Sequence, residues 1–262
     1  LEEVTPPVII FIRQILGFVL LFCFALIHKK SLVIKIKDLG WIVTLAAVAC
    51  LHLWIQVTGL QWTTASNTGW IIGITPVFMT ILALIFFKEK LLPIQLIGIV
   101  IAFVGLLLLV SKGDLTSIDF ISNKGDLLIV GSTITWAVYS LISKKITLEY
   151  SSVTTTLYLF LFVAILIAPV TVNKENLTSI VSLSFSGWMS VIFLGLFCSG
   201  VAYVLWAQAL SEMSATRVGA FLYIQPFVTF FAAWFYLGED ITILTLVSGL
   251  IIIGGVILVN RK

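Results

Sequence analysis

Few side chains in this sequence could do chemistry, and those few stand inside long apolar runs. Arg13 lies five residues into the stretch Val8 to Ile27, about 7 Å from its outer boundary at helical rise. An ionisable group in hydrocarbon is costly unless it is paired or hydrated, so Arg13 carries two readings. Either its guanidinium snorkels to the outer interface near Glu2 and Glu3, or it meets a substrate carboxylate. Arg13→Lys separates the two, because lysine keeps the reach and loses the bidentate fork. His52 and Gln56 stand at i and i+4, on one face of a helix, with His52 near the middle of its apolar run. An imidazole there holds substrate through hydrogen bonds, takes up a proton for coupling, or bonds a neighbouring helix as packing glue. His28, beside Lys29 and Lys30, carries no such expectation.

Backbone chemistry is expected at Pro76 and Pro226, each near the centre of an apolar run. Proline has no N–H, so the carbonyls of Ile72 and Leu222 lose their helical donors, and the breaks act as hinges or polar backbone sites. Thr75 and Gln225 precede these prolines, and Gln225, able to donate and accept, is assigned to a substrate cavity. Ala65, Gly69 and Gly73 form a stripe at every fourth residue, which Ala215 and Gly219 begin again, and both stripes read as helix-packing surfaces. Trp70, Trp136, Tyr139, Tyr203, Trp206 and Tyr223 are candidate aromatic walls, whereas Trp41, Trp62 and Trp188 near the ends of runs read as interfacial anchors.

Motifs of enzyme chemistry are missing. The sequence holds no His-Glu-x-x-His, no Gly-x-Ser-x-Gly, no pair of carboxylates inside an apolar run and no P-loop, so no metal, cofactor or ATP site is expected. Cys23, Cys50 and Cys198 lie in apolar runs, are odd in number and have neither disulfide nor metal-ligand spacing. The net charge of +3 is spread over loops, which argues against a nucleic-acid partner. The basic cluster Lys29 to Lys37 suits anionic lipid headgroups.

The elements that must position these residues follow from composition. Of 262 residues, 60% are hydrophobic and 10% charged, and mean hydropathy is +1.19. No soluble fold buries that much apolar surface. Alternation at period two is absent, so the expected class is an all-α integral membrane bundle. Nine runs suit spanning helices: Val8 to Ile27, Trp41 to Leu60, Thr64 to Phe87, Leu91 to Val110, Leu127 to Ile142, Val153 to Val172, Trp188 to Leu210, Val218 to Leu237, and Ile241 to Val259. The fifth is short and borrows Asp126 and Ser143 at its ends. One orientation gathers eleven of the 15 lysines and arginines on the cytoplasmic side, leaving Lys112, Lys124 and Lys174 outside and Arg13 within a span. This implies a multi-pass protein of a prokaryotic cytoplasmic membrane with a cytoplasmic C-terminus. The acidic start Leu1-Glu2-Glu3 lacks the basic leader of a signal peptide.

The sequence also repeats itself. Thr63 to Lys112 reappears ungapped at Met213 to Lys262, an offset of 150 that lays Ala65 on Ala215, Gly69 on Gly219, Pro76 on Pro226, Glu89 on Glu239 and Gly105 on Gly255. Five runs, an odd number, separate the turns Lys88-Glu89-Lys90 and Gly238-Glu239-Asp240, so the copies are expected to be inverted across the membrane. Exchange of conformation between inverted halves turns an inward-open protein into an outward-open one.

The pattern Thr64-Ala65-Ser66-Asn67, Pro76, Phe87-Lys88-Glu89-Lys90-Leu91, Gly98 and Gly105 resembles the EamA repeat of the drug/metabolite transporter superfamily. Ser214-Ala215-Thr216, Pro226, Leu237-Gly238-Glu239-Asp240-Ile241-Thr242 and Gly255 repeat it, Trp136-Ala137-Val138-Tyr139 resembles the family's repeat-opening helix, and Pro7 with Phe11-Ile12-Arg13 its second helix. The resemblance implies two inverted five-helix repeats around a central cavity that passes small metabolites, often amino acids, with Trp136 and Tyr139 bordering that cavity. It also implies one span more than is visible, a first helix before Val8. The repeats are accordingly read as 1–111 and 126–262, joined by an external linker at 112–125. The expected function is secondary or facilitative export of a small metabolite such as an amino acid, with His52, Gln56, Trp136, Tyr139, Gln225 and Arg13 toward substrate and proton coupling at His52. A membrane receptor or scaffold without transport, or a hydrolase pairing an isolated serine with His52, is the alternative.

Overall fold

The structure is a computed structural model that describes residues 3–63, 65–111, 113–114, 121, 123–226, 228, 235 and 242–261. Expectations that rest on Glu2, Thr64, Lys112, Asp119, Lys262 and residues 236–241, which include Glu239 and Asp240, lie outside the described residues, as do the side chains of Ala65, Ser66 and Trp70. The elements are α1 (Pro6–Ile27), α2 (Leu39–Gly59), α3 (Ala65–Ile72), α4 (Thr75–Phe86), α5 (Pro93–Val110), α6 (Lys124–Thr147), α7 (Ser152–Thr171), α8 (Lys174–Val181), α9 (Phe185–Phe193), α10 (Ala202–Glu212), α11 (Ala215–Ala220) and α12 (Ile243–Asn260). A π-helical segment, Leu194–Val201, joins α9 to α10 without a turn. No strand occurs among the described residues. A continuous helix meets its backbone hydrogen bonds internally, which apolar surroundings require.

Among the described residues, seven helical stretches are long and apolar enough to cross a membrane: Pro6–Ile27, Ile36–Gly59, Pro93–Val110, Lys124–Thr147, Ser152–Thr171, Phe185–Glu212 and Ile243–Asn260. The other two expected spans have specific fates. Thr64 to Phe87 is divided into α3 and the shorter apolar helix α4, and Val218 to Leu237 begins as α11 and a 3-10 turn, Phe221–Tyr223, before running largely outside the described residues. The short fifth run grows into α6, because buried Asp126 and Ser143 near its ends are helical too.

Local signals set the helix starts. Ser151, Asn173, Ser184, Ser214 and Thr242 each accept a backbone N–H three residues on, satisfying one of the orphan donors of a first turn. Pro6 and Pro93 stand where a missing N–H costs nothing. Before α5, the Leu92 amide donates to the Gln95 side chain, whose Nε2 donates to the Val259 carbonyl on α12 at 3.1 Å.

By packing, the chain forms two compact units, each drawn from both sides of residues 112–125. The first comprises Leu1–Val57 and Ile142–Glu212, the second Thr58–Leu141 and Met213–Lys262. In the first, α1 packs along α7 and the π-helical segment, and α7 along α10. Val4, Val8, Ile9 and Leu183 form a small core at the start of α1. The loop after α1 is strapped down by α7 and the turn before it: Thr154 donates to the Ser31 carbonyl, Tyr158 to that of Leu32, and Tyr150 to Asp38 at 2.6 Å.

In the second unit α5 and α12 form the tightest pair. A Cβ on Gly98 would lie 2.7 Å from the Gly255 carbonyl oxygen, and one on Gly255 only 2.5 Å from the Ala102 nitrogen. Those glycines let two backbones touch. The helices run antiparallel, since Gln95 meets Val259 at one end of the pair while Gly105 meets Ile252 nearer the other. Ala102, Leu106, Leu109, Tyr223, Ile252 and Val256 form the core beside the crossing.

Candidate functional site

Arg13, on α1, is bonded across to the π-helical segment. It lies about 10 Å along α1 from Pro6. Its Nε donates to Ser199 Oγ at 3.2 Å, and fully buried Ser199 sits near the middle of the 28-residue stretch Phe185–Glu212. The side chain therefore ties inward. Close backbone approach makes this contact: a Cβ on Gly195 would lie 2.7 Å from Leu16 Cβ, and one on Gly200 2.6 Å from Leu20 Cδ2. Both glycines belong to the π-helical segment. One turn beyond Ser199, buried Tyr203 packs on Phe160 of α7, ring centroids 5.6 Å apart.

Glu3, one of the two acids expected near Arg13, is bonded elsewhere. Both Glu3 carboxylate oxygens accept from Ser184, Oε2 from the backbone N–H at 2.8 Å and Oε1 from the hydroxyl at 2.7 Å. These bonds hold the Glu3 carboxyl below its ordinary range.

His52 is buried and Gln56 half-buried, and both lie on the uninterrupted helix α2, so their i, i+4 relation holds. Trp136 and Tyr139 share one turn of α6, with ring centroids 5.0 Å apart; Tyr139 is fully buried and Trp136 half-buried. Gln225 follows the 3-10 turn Phe221–Tyr223 and is exposed. Arg13, His52 and Gln56 belong to the first unit, while Trp136, Tyr139 and Gln225 belong to the second.

The prolines sit at breaks. Gly73 and Ile74 form a turn between α3 and α4, leaving buried Pro76 in the first turn of α4 rather than in the middle of one long helix. The equivalent position, Pro226, follows the 3-10 turn after α11. Gly69 is half-buried and Gly73 buried; Ala215 and Gly219 are buried, and Gly219 packs on Met79 of α4, where an added Cβ would lie 3.2 Å from sulfur.

Three polar arrangements escaped the sequence reading. Glu89 accepts from the backbone N–H groups of Ala215 and Thr216 and from the Thr216 hydroxyl at 2.8 to 3.3 Å, which caps α11. Its match in the repeat pointed to importance but not to a partner. Asp126, fully buried at the start of α6, accepts from the Thr63 hydroxyl, the Asn67 amide and the Asn123 N–H. Ser199 had no signal, being one small polar residue in an apolar run. Among the described residues no group of three or more His, Cys, Asp or Glu could hold a metal.

Broken and π-distorted helices that carry polar groups through long apolar stretches define a polytopic helical membrane protein. The EamA-like transporter family matches residues 1–111 and 123–261, and the chain belongs to that family. A protein of Archaeoglobus fulgidus named an uncharacterized transporter is 30% identical over 269 residues, covering 100% of this chain and 90% of that protein. The uncharacterized transporter YyaM of Bacillus subtilis is 28% identical over 200 residues, covering 76% and 65%. A protein of Streptantibioticus cattleyicolor named a probable terminal-alkyne amino-acid exporter is 25% identical over 198 residues, also covering 76% and 65%. One crystal structure superposes with a TM-score of 0.82, covering 98% of this chain and 88% of the other at 16% identity. At that identity it shows the fold alone.

Proposed function

We propose that this chain is a secondary or facilitative carrier that exports small metabolites such as amino acids by alternating access of two inverted repeats. The observation that carries this reading is the α5/α12 pair. The two helices occupy equivalent repeat positions, Pro93–Val110 and Ile243–Asn260, have the same 18-residue length, and run antiparallel. Repeat copies that enter the membrane from opposite faces would give this arrangement. The paired breaks before Pro76 and Pro226 support it, because each supplies a compliant point in an equivalent helix. Nine visible spans then follow from adding α3 with α4, and the helix that α11 begins, to the seven uninterrupted stretches. The amino-acid assignment draws on the name of the Streptantibioticus relative.

Within this reading Arg13, His52, Gln56, Trp136, Tyr139 and Gln225 handle substrate, with His52 as the site of proton coupling. Counterflow of labelled amino acids into proteoliposomes tests it. Saturable exchange is expected from the wild-type protein and slower exchange from His52→Ala and Gln225→Ala proteins that melt normally. Unchanged rates in both variants would remove the residue assignment. A folded protein that exchanges neither amino acids nor other small metabolites would favour a receptor or scaffold.

A further inference from the structure

We propose that Arg13 is the anion anchor of this carrier, and that its substrates carry a carboxylate. The inference rests on the transport reading and adds a chemical class to it. Arg13 spends one donor: Nε binds Ser199 Oγ, and its terminal nitrogens have no hydrogen-bond or ion-pair partner among the described residues. No Asp or Glu lies within α1, α2, α7, α9 or the π-helical segment, and Glu212, at the far end of α10, accepts from Gln208, so the described part of the first unit places no counter-charge beside Arg13. Glu3, the acid at the start of α1, is committed to Ser184.

A half-buried guanidinium in an apolar stretch remains costly until an anion meets it. With Nε fixed, the side chain is held in place and the two terminal nitrogens are left in the fork geometry that takes both oxygens of a carboxylate. The adjacent residue shows a second surplus donor. Gln14 is 1% exposed and its Nε2 has no partner. Buried donors are ordinarily satisfied. Successive positions of a helix point in different directions, so the inference rests on Arg13: a guanidinium with unspent N–H groups and no acid beside it among the described residues favours an anionic acceptor, which a carboxylate supplies and an amine or a neutral amide does not. Ser199 acts as a positioning residue, held by the π-helical segment whose Gly195 and Gly200 admit α1. Short π-helical segments recur at functional sites, where they re-aim a side chain.

The test is thermal melting of the detergent-solubilised full chain, titrated with amino acids, hydroxy acids and dicarboxylates and with the carboxamide of each. At least one carboxylate is expected to raise the melting temperature while its amide does not. Arg13→Gln should weaken that carboxylate at least about tenfold, with Arg13→Lys between the two. Should Arg13→Gln fail to fold, Ser199→Ala keeps the charge but frees Nε, and it should weaken the acid while leaving the amide unchanged. Equal responses to acid and amide, no response to any carboxylate, or variants that keep the preference for acid would overturn the anion site. Proteoliposome counterflow is read separately. Binding without exchange sinks the transport reading and leaves the anchor standing; exchange indifferent to the carboxylate does the reverse.

Discussion

Three acidic side chains serve helix starts. Glu3 braces Ser184, the cap of α9, Glu89 caps α11, and Asp126 sits in the first turn of α6. Each carboxylate meets N–H groups that a helix start leaves unpaired. That distribution leaves Arg13 without an acid partner among the described residues. Glu3 gives a pH-dependent prediction whose sign is fixed: its bonds to Ser184 lower its pKa from 4.5, so their contribution is present above the unfolded value and lost as pH falls through the folded one. Amide hydrogen exchange at Ser184 should show protection at pH about 6 that fades toward about 3. In Glu3→Gln protection should be weaker and flat with pH; equal fading in both proteins would sink the assignment. Arg13 itself was legible in the sequence, since charge inside an apolar run is conspicuous. Its partner was not: Ser199 lies 186 positions away, and only packing brings them together.

At the scale of elements, hydropathy located the apolar runs but not their internal breaks. An apolar setting selects mostly apolar residues whether the helix is α, π or interrupted, so the π-helical segment Leu194–Val201 and the turn at Gly73 left no mark in the pattern. Pro76 marked a weak point, and the actual break falls just before it. Short α8 was missed because its eight residues, Lys174 to Val181, mix polar and apolar types too briefly to show a period. The reading of Ala65, Gly69 and Gly73 as the close-packing stripe also overlooked the closest backbone approach. That approach belongs to Gly98 and Gly255. A Cβ on Gly255 would meet backbone atoms that cannot swing aside, so Gly255→Ala should destabilise the protein by about 1–3 kcal/mol. Neighbouring Gly254 has nothing within 4 Å of an added Cβ. Gly254→Ala should therefore be neutral or stabilising, by up to about 1 kcal/mol from helix propensity. Melting curves of the two single variants decide it; equal losses would mean that the α5/α12 contact is not the constraint.

Across the whole molecule, duplication and packing divide the chain differently. The sequence halves meet near residues 112–125, while each compact unit draws helices from both halves, and α2 and α6 each run from one unit into the other. A packing unit can mix halves in this way because antiparallel equivalents, such as α5 and α12, bury their small faces on each other rather than on neighbours in sequence. Inversion makes a direct prediction at two matched positions. Leu92 precedes α5 and Thr242 precedes α12, each in the N-cap position of its helix. If the copies are inverted, these residues face opposite sides of the membrane. In a background with Cys23, Cys50 and Cys198 replaced, an impermeant maleimide added to intact cells should label Thr242→Cys directly and Leu92→Cys only after permeabilisation. The expected direction follows from the lysine distribution, which places Lys88 and Lys90, just before α5, among the residues expected on the cytoplasmic side. Labelling of both from one side would remove the inversion, and with it the symmetry argument for alternating access, while leaving membership of the family untouched. Opposite sides in the reverse sense would keep the inversion and overturn only the assignment of the C-terminus to the cytoplasm.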